Sequence, residues 1–92
     1  MVLFALERDA ALEALELGQR LGCAVWIGSD AVTEAECERY RSAGVKISRF
    51  VYPLAEATAA VIDEALETIA LHHPRETVWV QYCRSPESPV SG

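Results

Sequence analysis

Residues that could take part in chemistry stand at the ends of the apolar runs of this sequence. The candidates for a ligand-binding cluster are Arg8, Ser29, Asp30, Tyr52, Cys83 and Arg84. In an open parallel sheet, loops and helix N-termini meet at the carboxyl ends of the strands, so ligands bind there. In such a cluster Ser29 or Cys83 would act as nucleophile, Asp30 as base, and an arginine would hold a small anion. Polar loop residues are common at this edge, so we assign a ligand site and no catalytic residue.

No complete metal, nucleotide or cofactor motif accompanies these residues. Glycine-rich phosphate loops need several glycines between strand and helix, whereas residues 7–9 contain none and the second such turn has only Gly28. A carboxylate from the first turn and Asp30 would make a poor magnesium site without a third ligand. Adjacent His72 and His73 point about 100° apart on a helix, which suits a helix end better than chelation. We predict no metal and no cofactor.

Charge and composition limit the classes of partner and the cellular compartment that the sequence predicts. The chain has 92 residues, a net charge of −6 and 51% hydrophobic residues, which is typical of a folded globular domain. Its eight Lys and Arg residues form no run that could follow a phosphate backbone, so we expect no nucleic acid. No apolar stretch approaches the ~20 residues that cross a bilayer, so we expect no membrane partner. Cys23, Cys37 and Cys83 lie far apart, which favours the reducing cytoplasm.

Apolar runs alternate with helical patterns along the chain, in the order βαβαβαβ. The runs that predict strands are 2–6, 23–27, 46–52 and 77–82, and the patterns that predict helices begin at residues 9, 33 and 53. Asp9 is the expected N-cap of the first helix, which Gly22 ends. Thr33 and Glu36 have the spacing of a capping box, and Pro53 fits the first turn of a third helix that runs to residue 71.

This order predicts a single α/β domain over residues 1–84. Strands joined by helices imply right-handed crossovers and a mainly parallel four-stranded sheet with three helices. The first two strands are the most apolar and therefore central, which gives the order 3-2-1-4. Residues 85–92 are polar and proline-rich, and we expect a disordered tail. Alternatively, residues 2–6 begin the first helix, since Leu and Ala favour helix; the domain would then be α+β with three strands.

Two features predict self-association. The apolar arc of the third helix is wider than contact with one sheet requires, which indicates a second buried surface. The last strand, at an edge of the sheet, would expose an unpaired row of backbone groups. Trp79 lies in that strand, and tryptophan is enriched in interface hot spots. We therefore predict a homodimer with Ala59, Trp79 and Tyr82 in its interface.

Three functions are open at this level. The first, which we favour, is a small binding or regulatory module that self-associates and could bind a further protein partner. The second is a small enzyme that uses the strand-end cluster, with Cys83 beside Arg84, on an anionic or thiol-reactive substrate. The third is an acidic inhibitor or immunity-type protein that covers a basic partner.

Overall fold

Helices and strands alternate along the chain in the predicted order. A computed structural model describes residues 1–81, and the structural statements below refer to that part of the chain. The elements are β1 (Val2–Ala5), α1 (Arg8–Leu21), β2 (Ala24–Ile27), α2 (Glu34–Ser42), β3 (Ile47–Arg49), α3 (Ala59–His72) and β4 (Val78–Gln81). Residues 2–5 form a strand, so the three-stranded α+β alternative is wrong. The predicted domain boundary at residue 84 and the tail 85–92 lie outside the described residues.

The four strands form one parallel sheet in the order β3-β2-β1-β4, which confirms the predicted topology. β1 lies in the middle, and its Leu3 is in register with Val25 on β2 and with Trp79 on β4. All four residues of β1 are buried because helices cover both faces of the central strands. This is why the first two runs are continuously apolar rather than alternating.

Each face of the sheet has its own hydrophobic core. Leu3 and Val25 point toward α1 and α2, and they pack with Leu15 of α1. On the other face Phe4 and Trp26 pack beneath α3. Burying a side chain of this size contributes about 1.5–3 kcal/mol relative to leaving it exposed, so these two layers dominate the stability of the domain.

The first two helices begin and end at local signals, one of which the sequence analysis placed wrongly. The capping box is confirmed: the Thr33 hydroxyl accepts from the Glu36 amide at 3.1 Å, and the Glu36 carboxylate accepts from the Thr33 amide at 2.9 Å. Gly22 ends α1 in the left-handed region with φ 73°, as predicted. Asp9 is not the N-cap of α1. Glu7 holds that position without a side-chain cap, and Asp9 lies in the first turn, where its charge favours the helix dipole.

α3 begins later than predicted, at Ala59 rather than within residues 53–58. Thr58 is its N-cap and accepts from the Val61 amide at 3.4 Å. Pro53 therefore lies in a loop, and its assignment to the first helical turn is wrong. Leu54, which matched the helical spacing, is 1% exposed and anchors this loop in the core beneath α3. The loop comes very close to β2, since a Cβ on Gly28 would lie 2.9 Å from the Leu54 amide nitrogen.

β3 is an edge strand, as expected, but it is shorter than the predicted run 46–52. The Phe50 amide still donates to the Ile27 carbonyl at 2.9 Å, and the chain then turns away so that Val51 is 92% exposed. In α2, Cys37 and Tyr40 face the core, while Ala43, which follows the helix as its C-cap, is exposed. None of the helices in residues 1–81 combines the length and apolar character needed to cross a membrane.

Candidate functional site

Two residues of the predicted strand-end cluster line one open groove. The Ser29 amide donates to the Tyr52 carbonyl at 3.0 Å, which ties the loop after β2 to the loop after β3. Asp30 and Tyr52 then lie on the wall of the groove, whereas Ser29 is half-buried beside it. Cys83 and Arg84, also predicted in this cluster, lie outside the described residues.

Arg8, the remaining member of the predicted cluster, is engaged elsewhere. Its guanidinium donates to both carboxylate oxygens of Glu36, at 2.9 and 2.7 Å, and so joins the start of α1 to the start of α2. Hydrogen bonds from Arg8, with a further bond from the Thr33 amide, lower the pKa of Glu36 to about 2. The same carboxylate raises the pKa of Arg8. The forked pair fixes two helix starts at the carboxyl end of the sheet.

The groove is formed by three segments that meet at this end of the sheet. It has a volume of about 720 Å³, within the usual range of ligand sites. The lining residues are Asp30, Tyr52, Pro53, Ala55, Glu56, Ala57, Thr58, Val61 and Glu64. Asp30 comes from the turn after β2, the next residues from the loop that leads to α3, and the last three from the start of that helix. We call this surface the acidic groove.

The charges of the acidic groove are all negative. Asp30, Glu56 and Glu64 contribute three carboxylates, and among residues 1–81 no Lys, Arg or His lines the groove. Within residues 1–81, none of these three carboxylates takes part in an ion pair. The N-terminus of α3 opens onto the groove with a dipole equivalent to about half a positive charge, far less than the three negative charges.

Charge is divided between the two ends of the sheet. The acidic residues in the loops after the strands and in the helix starts are Glu7, Asp9, Asp30, Glu34, Glu36, Glu56 and Glu64. The basic residues in the helix ends and in the loops before the strands are Arg20, Arg39, Arg41, Lys46 and Arg75. Arg8 and Arg49 are the exceptions at the acidic end, and each is bound by a glutamate of α2. Glu76, in the turn before β4, is an acidic exception at the other end. Such a division complements the helix dipoles, and it leaves the acidic groove in a strongly negative region.

A polar chain at the opposite end of the sheet was missed by the sequence analysis. The Trp26 indole donates to Nε2 of His73 at 3.2 Å, so the proton of the neutral ring lies on Nδ1, which faces Glu76 at 3.1 Å. Glu76 also accepts from the N-terminal ammonium of Met1 at 2.9 Å, and this ammonium, then His73, lowers the pKa of Glu76. Trp26 itself could have indicated this hydrogen bond, since a buried Trp needs an acceptor for its N–H.

His72 and His73 have the helix-end role that the sequence predicted. His72 is the last residue of α3, with Nδ1 3.0 Å from the Thr68 carbonyl oxygen, and His73 is the C-cap, whose amide donates to the Ile69 carbonyl. In the described part of the chain, no group of three or more His, Cys, Asp or Glu side chains is arranged to hold a metal ion.

Of the predicted interface residues, Trp79 lies on β4. Trp79 is 57% exposed although it lies in a strand, and Ala59 is exposed at the first turn of α3. Tyr82 lies outside the described residues. β4 pairs with β1 on one side, and it is the last strand of the sheet in residues 1–81.

We compared the chain with models of protein families, with curated proteins and with solved structures. No family model, curated protein or solved structure matches it. Its function must therefore be inferred from the acidic groove, from the distribution of charge and from the exposed edge strand.

Proposed function

We propose that this chain is a small binding module that self-associates through β4 and the neighbouring flank of α3. The observation that supports the proposal is the exposure of Trp79 on an edge strand. Its partner in register, Leu3, is 4% exposed, so the same sheet face passes from core to solvent within one strand spacing. Large exposed aromatic residues of this kind are typical of interface centres.

The two edges of the sheet differ in a way that favours β4 as the interface. β3 has three residues, its Ser48 and Arg49 are polar, and Arg49 is bound to Glu34 at 2.7 Å. Short, charged edges resist pairing with another strand. β4 has four residues, three of them apolar, and carries no charged side chain. Pairing of two β4 strands about a two-fold axis would extend the sheet and bury both copies of Trp79.

α3 covers the sheet face opposite to that of Trp79, and its flank beside β4 adds a second apolar surface at the same edge. The ring of His72 contacts Trp26, with centroids 5.3 Å apart, which places that flank of α3 over β2. Leu66 and Ala59 lie about 120–140° around the helix from His72, so they face the β4 side. Leu66 is half-buried and Ala59 exposed. The exposed apolar residues of α3 are Ala59, Ala60, Ala70 and Leu71, which is 81% exposed.

The oligomeric state in solution tests this proposal. Light scattering from micromolar to millimolar concentration should give a dimer for the wild type and a folded monomer for Trp79→Asp. Val51→Asp is the matched control, because it adds the same charge at an exposed apolar residue next to the opposite edge. Far-UV circular dichroism checks that both variants fold. A wild type that stays monomeric throughout, or a Trp79→Asp variant that remains a dimer, would refute the proposed interface.

We further propose that the module acts in the cytoplasm. Cys23 and Cys37 are free thiols, and Cys37 is buried as a small apolar side chain in the core beneath α2. Free thiols are typical of proteins in a reducing compartment. Alkylation of the protein in intact cells and after lysis, followed by mass measurement, would reveal an oxidised pool that contradicts this location.

A further inference from the structure

We infer that the acidic groove binds a lysine- or arginine-containing segment of a partner protein. The groove lies at the carboxyl end of the sheet, and β4 forms one side edge, so the two surfaces have different residues. The inference therefore goes beyond self-association, and either can fail without the other.

The groove has the chemical form that a basic side chain requires. Tyr52, Pro53 and Val61 give it an apolar lining on which the methylene stem of a lysine or arginine can lie. Glu56 and Glu64 also line the groove and can receive the charged end. The Tyr52 ring is held by Phe50, with centroids 5.3 Å apart, so its position does not depend on the ligand.

In the part of the chain that the structure describes, no basic side chain pairs with the carboxylates of the groove. Arg8 and Arg49 are the two basic residues at this end of the sheet within the described range, and glutamates of α2 hold both. The dipole of α3 offsets about half a charge out of three, which disfavours an anionic ligand. A net charge of −6 on the whole chain would also speed the approach of a basic partner.

The spacing of the carboxylates favours an extended ligand over a single ion. Asp30, Glu56 and Glu64 line one groove, yet they do not form a cluster that could hold a metal ion. They come from three different segments that line the groove, so an extended ligand can contact more than one of them. The open shape of the groove allows a peptide chain to enter and leave it.

A second copy of the chain is a poorer occupant. The basic residues of its amino end lie on helix ends and short turns, which do not project into a groove. Some already have other contacts: Arg41 donates to the Ile47 carbonyl at 3.2 Å, and Arg39 lies over the Tyr40 ring at 5.6 Å. Docking of a basic end on an acidic groove would also be head-to-tail and would produce open chains rather than a closed dimer.

Fluorescence anisotropy with short labelled peptides tests the inference. The probe is a peptide of lysine and leucine, and the controls are a lysine–serine and a glutamate–leucine peptide. The wild type should bind the probe most tightly, the lysine–serine peptide more weakly and the glutamate–leucine peptide not at all. Equal binding of the two lysine peptides would refute a role for the apolar lining, and absence of binding would refute the inference.

Paired substitutions locate the binding. Glu56→Gln with Glu64→Gln should weaken binding of the probe roughly tenfold, the sum of two partly exposed charge contacts. Glu16→Gln with Glu38→Gln makes the same change of net charge at exposed helical sites away from the groove and should change binding less than about twofold. Thermal unfolding checks that all variants fold. If both pairs of substitutions weakened peptide binding equally, the binding would be a general attraction to an acidic surface, and the proposed site would be refuted.

Light scattering shows whether a second copy of the chain occupies the acidic groove, and peptide binding by Trp79→Asp shows whether the groove or the β4 edge binds the peptide. Assembly that grows beyond a dimer and disappears in the Glu56→Gln, Glu64→Gln pair would show that a second copy fills the groove, which would overturn the partner inference. Trp79→Asp should bind the lysine–leucine probe as the wild type does. Loss of peptide binding in that variant would place the binding at the β4 edge instead.

Discussion

Replacement of Gly18 by alanine tests how closely α1 packs on the sheet, because two opposing effects can be compared. In an exposed helix interior, glycine to alanine stabilises by about 0.8–1.0 kcal/mol. At Gly18 the new Cβ would lie 2.7 Å from Cγ2 of Val25 and 3.2 Å from the Cys23 carbonyl oxygen. Overpacking of a core costs about 1–3 kcal/mol. We therefore expect a net destabilisation of about 1 kcal/mol.

The neighbours of Gly18 have little freedom to move. Val25 is fully buried in β2, and a β-branched side chain has few χ1 alternatives. The Cys23 carbonyl belongs to the backbone, and the Gly18 carbonyl itself accepts from the Gly22 and Cys23 amides at 2.8 and 3.2 Å. The contact can be relieved only by moving α1 away from the sheet, which would loosen the core around Leu15.

Urea unfolding of a double-mutant cycle measures the effect. Gly18→Ala should lower the free energy of unfolding and lower Tm by about 4–8 °C per kcal/mol for a domain of this size. In a Val25→Ala background, the closest contact is absent, so the same substitution should be less unfavourable or stabilising. Gln19→Ala, at the exposed neighbouring position, calibrates the helix propensity of alanine. If Gly18→Ala stabilised the wild type by ~1 kcal/mol, the close packing of α1 on β2 would be refuted.

Two further predictions concern polar contacts at opposite ends of the sheet. Trp26→Phe removes the indole N–H that donates to His73 and also part of the buried ring. We therefore expect the free energy of unfolding to fall by at least about 0.5–1.5 kcal/mol, and an unchanged value would show that the hydrogen bond contributes nothing. Folding lowers the pKa of Glu36 from 4.5 to about 2, so its contribution to stability is complete above about pH 4.5 and is lost as the pH falls toward 2. Carboxyl NMR titration of the wild type and of Arg8→Ala should show that the pKa of Glu36 rises in the variant, and equal values in both proteins would contradict the role assigned to Arg8.

The strand order was predictable because the composition of β1 and β2 indicates that both strands are buried. Residues 2–5 and 24–27 are apolar on both faces, and the connections between parallel strands then allow few arrangements. The start of α3 was not predictable from periodicity alone. Leu54 and Thr58 are four residues apart, so a side chain anchored by a loop has the same spacing as one on a helix. Thr58 itself carried the N-cap signal, which the continuous pattern concealed.

The candidate site was only partly accessible to sequence reasoning. The rule that ligands bind at strand ends correctly placed Asp30 and Tyr52 at the same end of the sheet. Glu56 and Glu64 both fall within the longer helix predicted from Pro53 to residue 71, and their position in the groove follows from the loop that precedes α3. The pairing of Arg8 with Glu36 joins residues 28 positions apart, and no local pattern indicates such a contact.

The central position of β1 has a consequence for the route by which the chain folds. β1 can pair with β2 as soon as α1 has formed, whereas its other neighbour, β4, is the last of the described elements along the chain. Contacts between residues so distant in sequence form late and slowly. During synthesis, residues 2–5 therefore form a fully apolar strand with one edge unpaired. Another nascent copy can donate its own β4 to that vacant position, which makes exchange of strands between molecules the characteristic misfolding route of this topology.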